Sequence, residues 1–123
     1  MPNKYGYSEL QWETGKREVI GILRQRASQR QLIAYGELSS KLTSIQVGPH
    51  DSAMGAMLGQ ISEEEDACGR GMLSVIVVHK EGDQKPGKGF YDCAAQLGRD
   101  ITDQDRMWVD ELNRVFAESL KAN

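Results

Sequence analysis

The sequence predicts an α+β fold, a winged helix-turn-helix core with a small sheet and additional helices at both ends. Three observations predict it. Residues 72–90 hold the one segment that reads as a buried strand, Leu73 to Val78, with consecutive β-branched residues from Val75 to Val78. A Gly- and Lys-rich loop with Pro86 follows that strand, in the place of a wing. Two short helical patterns precede it, at about residues 35–42 and 52–61. A strand and basic loop after two such helices is the layout of a winged helix.

The first element is a helix over residues 9–28. Ser8 and Gln11 form a capping box, in which each side chain satisfies a free backbone N–H near the helix start. Trp12, Val19, Ile20, Leu23 and Ala27 then recur at helical spacing. Lys16, Arg17, Arg24 and Arg26 lie mostly off that stripe and are expected on a solvated face. Gln31 to Ala34 is a short extended candidate, and Tyr35-Gly36-Glu37-Leu38 opens a short helix with Leu38 and Leu42 on one side.

Thr43 to His50 reads as a loop closed by Gly48-Pro49, with Asp51 or Ser52 as the cap of the next helix. Met54, Met57, Leu58 and Ile61 are the buried stripe of that helix, and Ala53, Gly55 and Gly59 leave room for a close neighbour. Ser62-Glu63-Glu64-Glu65 is a second capping box, expected to start a short extra turn that ends at Cys68-Gly69-Arg70-Gly71. Beyond the wing, Phe90, Cys93, Ala94 and Leu97 make a short helix stopped at Gly98. Thr102 then caps a last helix whose core side is Trp108, Leu112, Val115, Phe116 and Leu120, with Asp103 and Asp105 suited to its positive end.

Composition bounds the function classes. With 123 residues, 39% hydrophobic and 27% charged, the chain is globular, and it is expected to form one domain over residues 1–123. No apolar run approaches the ~20 residues of a membrane span, and the N-terminus lacks a signal-peptide hydrophobic region, so a cytoplasmic protein without a membrane partner is expected. Cys68 and Cys93 read as free thiols, and no set of four converging ligands supports zinc. Neither a metal nor a cofactor is expected. The net charge of −3 is uneven: +3 over residues 1–42, −4 over 43–71, +1 over 72–90 and −3 over 91–123. Only the first helix and the wing lean basic, which argues against tight autonomous DNA binding.

No constellation carries catalysis. His50 and His79 are the only histidines. Ser74 lies five residues before His79 on the expected strand, which puts the two side chains on opposite faces. Glu63, Glu64, Glu65 and Asp66 are consecutive acids, best read as a solvated helix start. Pro86-Gly87-Lys88-Gly89 before a helix offers backbone N–H groups to an anion, or simply permits the turn.

Ile33-Ala34-Tyr35-Gly36-Glu37-Leu38 resembles the start of the second helix in DNA alkylguanine transferases and in the alkyltransferase-like proteins. Ser52-Ala53-Met54-Gly55-Ala56-Met57-Leu58 is similar to their recognition helix, and Met72 to Val78 falls where they carry Ile-Pro-Cys-His-Arg-Val-Val. This resemblance covers about residues 18–90 and implies the winged-helix fold and a DNA-facing recognition helix at residues 52–61. Ser74 stands where that family has its reactive Cys, Val75 where it has the activating His, and Ile76 where it has Arg. Ser52 replaces the Arg that opens the recognition helix. A serine without a base does not accept an alkyl group as a thiolate does, so alkyl transfer is rejected. The segments Gly-Arg-Gly-Met-Leu-Ser and Pro-Gly-Lys-Gly-Phe, followed by two helices with Trp108, look like those of small bacterial winged-helix proteins of unknown function.

The sequence is therefore read as a non-catalytic winged-helix binding protein, DNA-binding or regulatory, with double-stranded DNA as first partner. The candidate contact residues are Tyr35, Ser52, Ala53 and Gln60 around the second and third helices, and Lys80, Lys85 and Lys88 in the wing. The alternative is a protein-interaction module, marked by exposure of Met54 or Met57 or by an apolar patch at Tyr5, Tyr7 and Trp12. The third reading is an enzyme acting through Ser74, His79 or the Glu63–Glu65 cluster.

Overall fold

The computed structural model describes residues 3–80 and 84–121. In chain order it holds α1 (Glu9–Ser28), β1 (Ile33–Ala34), α2 (Tyr35–Lys41), α3 (Ser52–Ala67), a 3-10 turn (Leu73–Ile76), β2 (Val77–Val78), α4 (Lys88–Gln96) and α5 (Gln104–Lys121). The sheet is one parallel pair, Ile33 opposite Val77 and Ala34 opposite Val78. This is a mixed helical and strand architecture, dominated by helix. The described residues hold no antiparallel wing hairpin. The middle of the loop expected as the wing, residues 81–83, lies outside the described residues.

α1 begins as its sequence dictates. Gln11 N donates to Ser8 Oγ at 3.1 Å, and Ser8 N donates to Gln11 Oε1 at 2.9 Å. Its buried stripe is Trp12, Val19, Leu23 and Ala27, packed into one core with Met54, Met57, Leu58 and Ile61 of α3 and Leu112, Val115 and Phe116 of α5. Leu120, expected in that core, is 54% exposed.

Residues 73–78 differ most from expectation. All six are buried, yet Leu73–Ile76 coils and only Val77 and Val78 pair as strand. The backbone here finds side-chain partners instead of a neighbouring strand. Met72 N donates to Glu111 Oε2 (2.8 Å), Ser74 N to Ser62 Oγ (3.1 Å), and Val75 O accepts from Trp108 Nε1 (2.9 Å). With those groups satisfied, the β-branched run is free to turn. Gly71, at φ +88°, makes the approach possible: a Cβ there would lie 2.9 Å from Glu111 Oε2 and 3.3 Å from Val115 Cγ2.

Three local expectations are corrected. α3 runs without a break through Ser62, whose buried hydroxyl bonds Ser74 (Oγ to Oγ 2.6 Å) rather than capping a new turn. Asp51 precedes α3 but its carboxylate accepts from Gly48 N at 2.8 Å, so it bridges the loop and leaves the helix start without a side-chain cap. At α5, the first-turn N–H of Arg106 goes to Asp103 Oδ1 (3.1 Å) instead of Thr102.

Candidate functional site

Two stretches of loop and the first turn of α4 converge on one face. A cavity of about 170 Å³ opens between α3 and α4, with walls that include Met54, Leu58 and Phe90 and with Ser74 and Cys93 among its lining. Gly55, Gly59 and Gly89 bring backbone close to it. Tyr35, Pro49 and His50 also border a shallower groove that continues along Gly36, His79 and Lys80. Tyr35 is the hinge of this arrangement. Its hydroxyl accepts from Gly87 N at 3.2 Å, and its ring lies 5.0 Å from that of His79. Burial pushes its phenol pKa up, against the opposing effect of the Gly87 hydrogen bond. A Cβ at Gly87 would sit 3.2 Å from His79 Nε2 and 3.4 Å from the Tyr35 hydroxyl, so a side chain there would press on the His79 ring.

The expected contact residues divide. Tyr35 lines both parts of the groove, and Lys80 lies on its outer part. Lys88 opens α4 between Gly87, which lies against Tyr35 and His79, and Gly89, which lines the cavity. Lys80 and Lys88 are exposed and make no ion pair among the described residues. Lys85, in contrast, places its Nζ 2.7 Å from Asp105. Ser52 is exposed at the start of α3, but Ala53 is buried and so is unable to reach a partner. Gln60 uses its amide oxygen to accept from Trp12 Nε1 at 2.8 Å.

Of the basic residues of α1, Arg17 is exposed as expected, but Lys16, Arg24 and Arg26 each meet a carboxylate. Lys16 is only 5% exposed, with Nζ 2.6 Å from Glu64 and 3.5 Å from Glu13. Arg24 and Arg70 together grip the buried Glu65, and Arg26 pairs with Glu37. Burial raises the Glu65 pKa, but the hydrogen bonds from Arg70 and Arg24 outweigh it and the net shift is downward. Arg99 joins Asp66 (2.6 Å) to Glu111 (3.0 Å), and its hydrogen bond holds the Asp66 carboxyl below the usual range despite some burial. The acid run expected to be a solvated helix start thus anchors three other elements.

Ser74 has the Ser62 hydroxyl as its partner and no imidazole. Cys93 borders the cavity, where burial first, and then Glu63 and Asp66, push its thiol pKa up against the effect of Arg99, disfavouring the nucleophilic thiolate. Among the described residues, no group of three or more His, Cys, Asp or Glu is placed to hold a metal ion. No helix among them is long and apolar enough to cross a membrane.

Sequence reasoning dismissed His50 as a loop residue and missed Phe90 and Cys93 as lining. The signal for His50 was present: it follows Gly48-Pro49, which turns the chain directly into α3. No protein-family model, curated protein or solved structure matches this chain.

Proposed function

We propose that the chain is a non-catalytic nucleic-acid-binding protein of winged-helix type, which holds the phosphate backbone of duplex DNA against the groove face. The observation that carries this is a pair of exposed lysines without an ion pair among the described residues: Lys80, which lines the groove, and Lys88, which starts α4 next to Gly89 of the adjoining cavity. Their neighbour Lys85, and Lys16, Arg24 and Arg26 of α1, each meet a carboxylate instead. Phosphate contacts position a protein on DNA without reading its sequence. α3 adds little readout of its own. Gln60 is the one amide there, and a bidentate contact to adenine needs both of its amide atoms, whereas Trp12 occupies one. Binding is therefore expected to be indifferent to sequence.

The markers of the protein-interaction reading point away from it. Met54 and Met57 are buried, Trp12 is buried, and Tyr5 and Tyr7 pack on its ring at 5.6 and 5.9 Å. One observation favours a protein partner as second reading: the exposed Val109 and Leu120 lie about three turns apart on one side of α5.

Fluorescence polarisation of labelled duplexes at ~50 mM salt, where phosphate contacts are strongest, tests the first reading. Two duplexes of unrelated sequence should bind with equal affinity, and the Lys80→Ala/Lys88→Ala variant should bind both more weakly. No binding to any duplex at that salt would overturn it.

A further inference from the structure

The two histidines of the chain line one open groove, one from each of two loops. His50 follows Pro49 just before α3, and His79 follows β2, and both border the same open groove with Tyr35 and Lys80. Both are exposed. His79 is held in place, since its N–H donates to Lys85 O at 3.0 Å and its ring rests on Tyr35 and Gly87.

Among the described residues, the groups around each imidazole carry little free negative charge. Facing His79 are the Tyr35 phenol from α2 and Gly87, which precedes α4, with Lys80 beside it in the chain. Lys85 supplies a carbonyl there while its ammonium lies on Asp105. Beside His50, the carboxylate of Asp51 accepts from Gly48 N. The cavity walls next to it from α3 and α4 are Met54, Gly55, Gly89, Phe90 and Cys93, of which only the thiol titrates. Glu37 of α2 is held by Arg26. Glu81 and Asp83 follow Lys80 in sequence and lie outside the described residues.

We propose that His50 and His79 make this face a proton-dependent grip on polyanions, so that the protein takes up protons as it binds nucleic acid and binds more tightly as the pH falls. The inference rests on the nucleic-acid reading above. Lys80 supplies a cation in the groove and Lys88 another at the start of α4 next to the adjoining cavity, and two protonated imidazoles raise that to four. Protonation crowds like charges together in the free protein, whereas a phosphate chain laid across the rim relieves that crowding. Proton and polyanion therefore raise each other's affinity. Histidine is the side chain whose ordinary titration falls inside the physiological range, so the effect is to be sought between about pH 8 and about pH 5.5.

The test is polarisation of a short labelled duplex across that pH range at a fixed ionic strength of ~50 mM. Wild-type protein should bind about tenfold more tightly at the acidic end, the scale of two added exposed charge contacts. His50→Gln/His79→Gln should lose most of that gain while matching wild type at the alkaline end. Lys80→Ala/Lys88→Ala should bind more weakly at every pH yet keep the pH dependence. Binding by wild type that is flat with pH, or an undiminished gain in the histidine variant, overturns the proton coupling and leaves the nucleic-acid reading standing. Absence of binding at every pH overturns both.

Discussion

The two ends of α3 are built for different tasks. The first half, with Met54, Gly55, Leu58 and Gly59, lines a cavity and carries no ionised side chain up to Gln60. The second half is fastened on three sides: Glu64 to Lys16, Glu65 to Arg24 and Arg70, and Asp66 to Arg99. Charge on this protein is thus mostly structural where acids and bases alternate in space. Among the described residues, Lys80 and Lys88 near the glycine-rich turn meet no carboxylate, and neither does the exposed Arg17 of α1. A count of basic residues misjudges such a surface, because a paired arginine offers a polyanion little that its carboxylate does not cancel.

The contrast can be broken first at the fastened end. Arg99→Ala leaves Glu111, which is 5% exposed, without its cation and should cost ~3 kcal/mol in urea unfolding. Lys88→Ala on the open side should stay within ~0.5 kcal/mol of wild type. Equal costs for the two would erase the distinction. Ser62→Ala comes next. It removes the acceptor of the buried Ser74 N–H and the partner of the Ser74 hydroxyl, and should cost ~1–2 kcal/mol. A neutral result would mean that the 73–76 turn holds without it.

Acid should weaken both the fastened end and the tie of Glu18 on α1 to Thr43 and Ser44. Burial raises the Glu18 pKa, but hydrogen bonds from Thr43 and Ser44 outweigh that and bring it to about 2. Glu65 and Asp66 are also lowered. Carboxyls with depressed folded-state pKa values contribute stability that is fully present above their unfolded values, near 4.5 for Glu and 3.8 for Asp, and lost as the pH falls through the folded values. Unfolding free energy should therefore decline from about pH 4.5 toward about pH 2, and Glu18→Gln should flatten part of that decline. A profile identical to wild type would remove Glu18 from the account.

Much of the fold is legible in the sequence where the signal is local. The Ser8–Gln11 box and the Trp12-to-Ala27 stripe place α1, and Met54 to Ile61 place the buried side of α3. The 73–76 turn is not legible, because β-branched residues favour strand unless distant side chains take the backbone's hydrogen bonds. Those side chains, Ser62, Trp108 and Glu111, lie 12 to 39 residues away. The site shows the same limit. Lys80, Lys85 and Lys88 look alike in a Gly-rich loop, and only Asp105, 20 residues from Lys85, separates one from the others. The meeting of His50 with His79 depends on how two loops pack, which no local pattern encodes.

The salt dependence of duplex binding tests the central claim most directly, since its slope counts the phosphate contacts made by cations. Lys80→Ala/Lys88→Ala should reduce the slope of log K against log salt by about 1.8, close to two contacts. Arg24→Ala/Arg26→Ala, which removes cations already held by Glu65 and Glu37, should leave the slope as it is. A slope that falls for the arginine variant and not for the lysine variant would contradict the account.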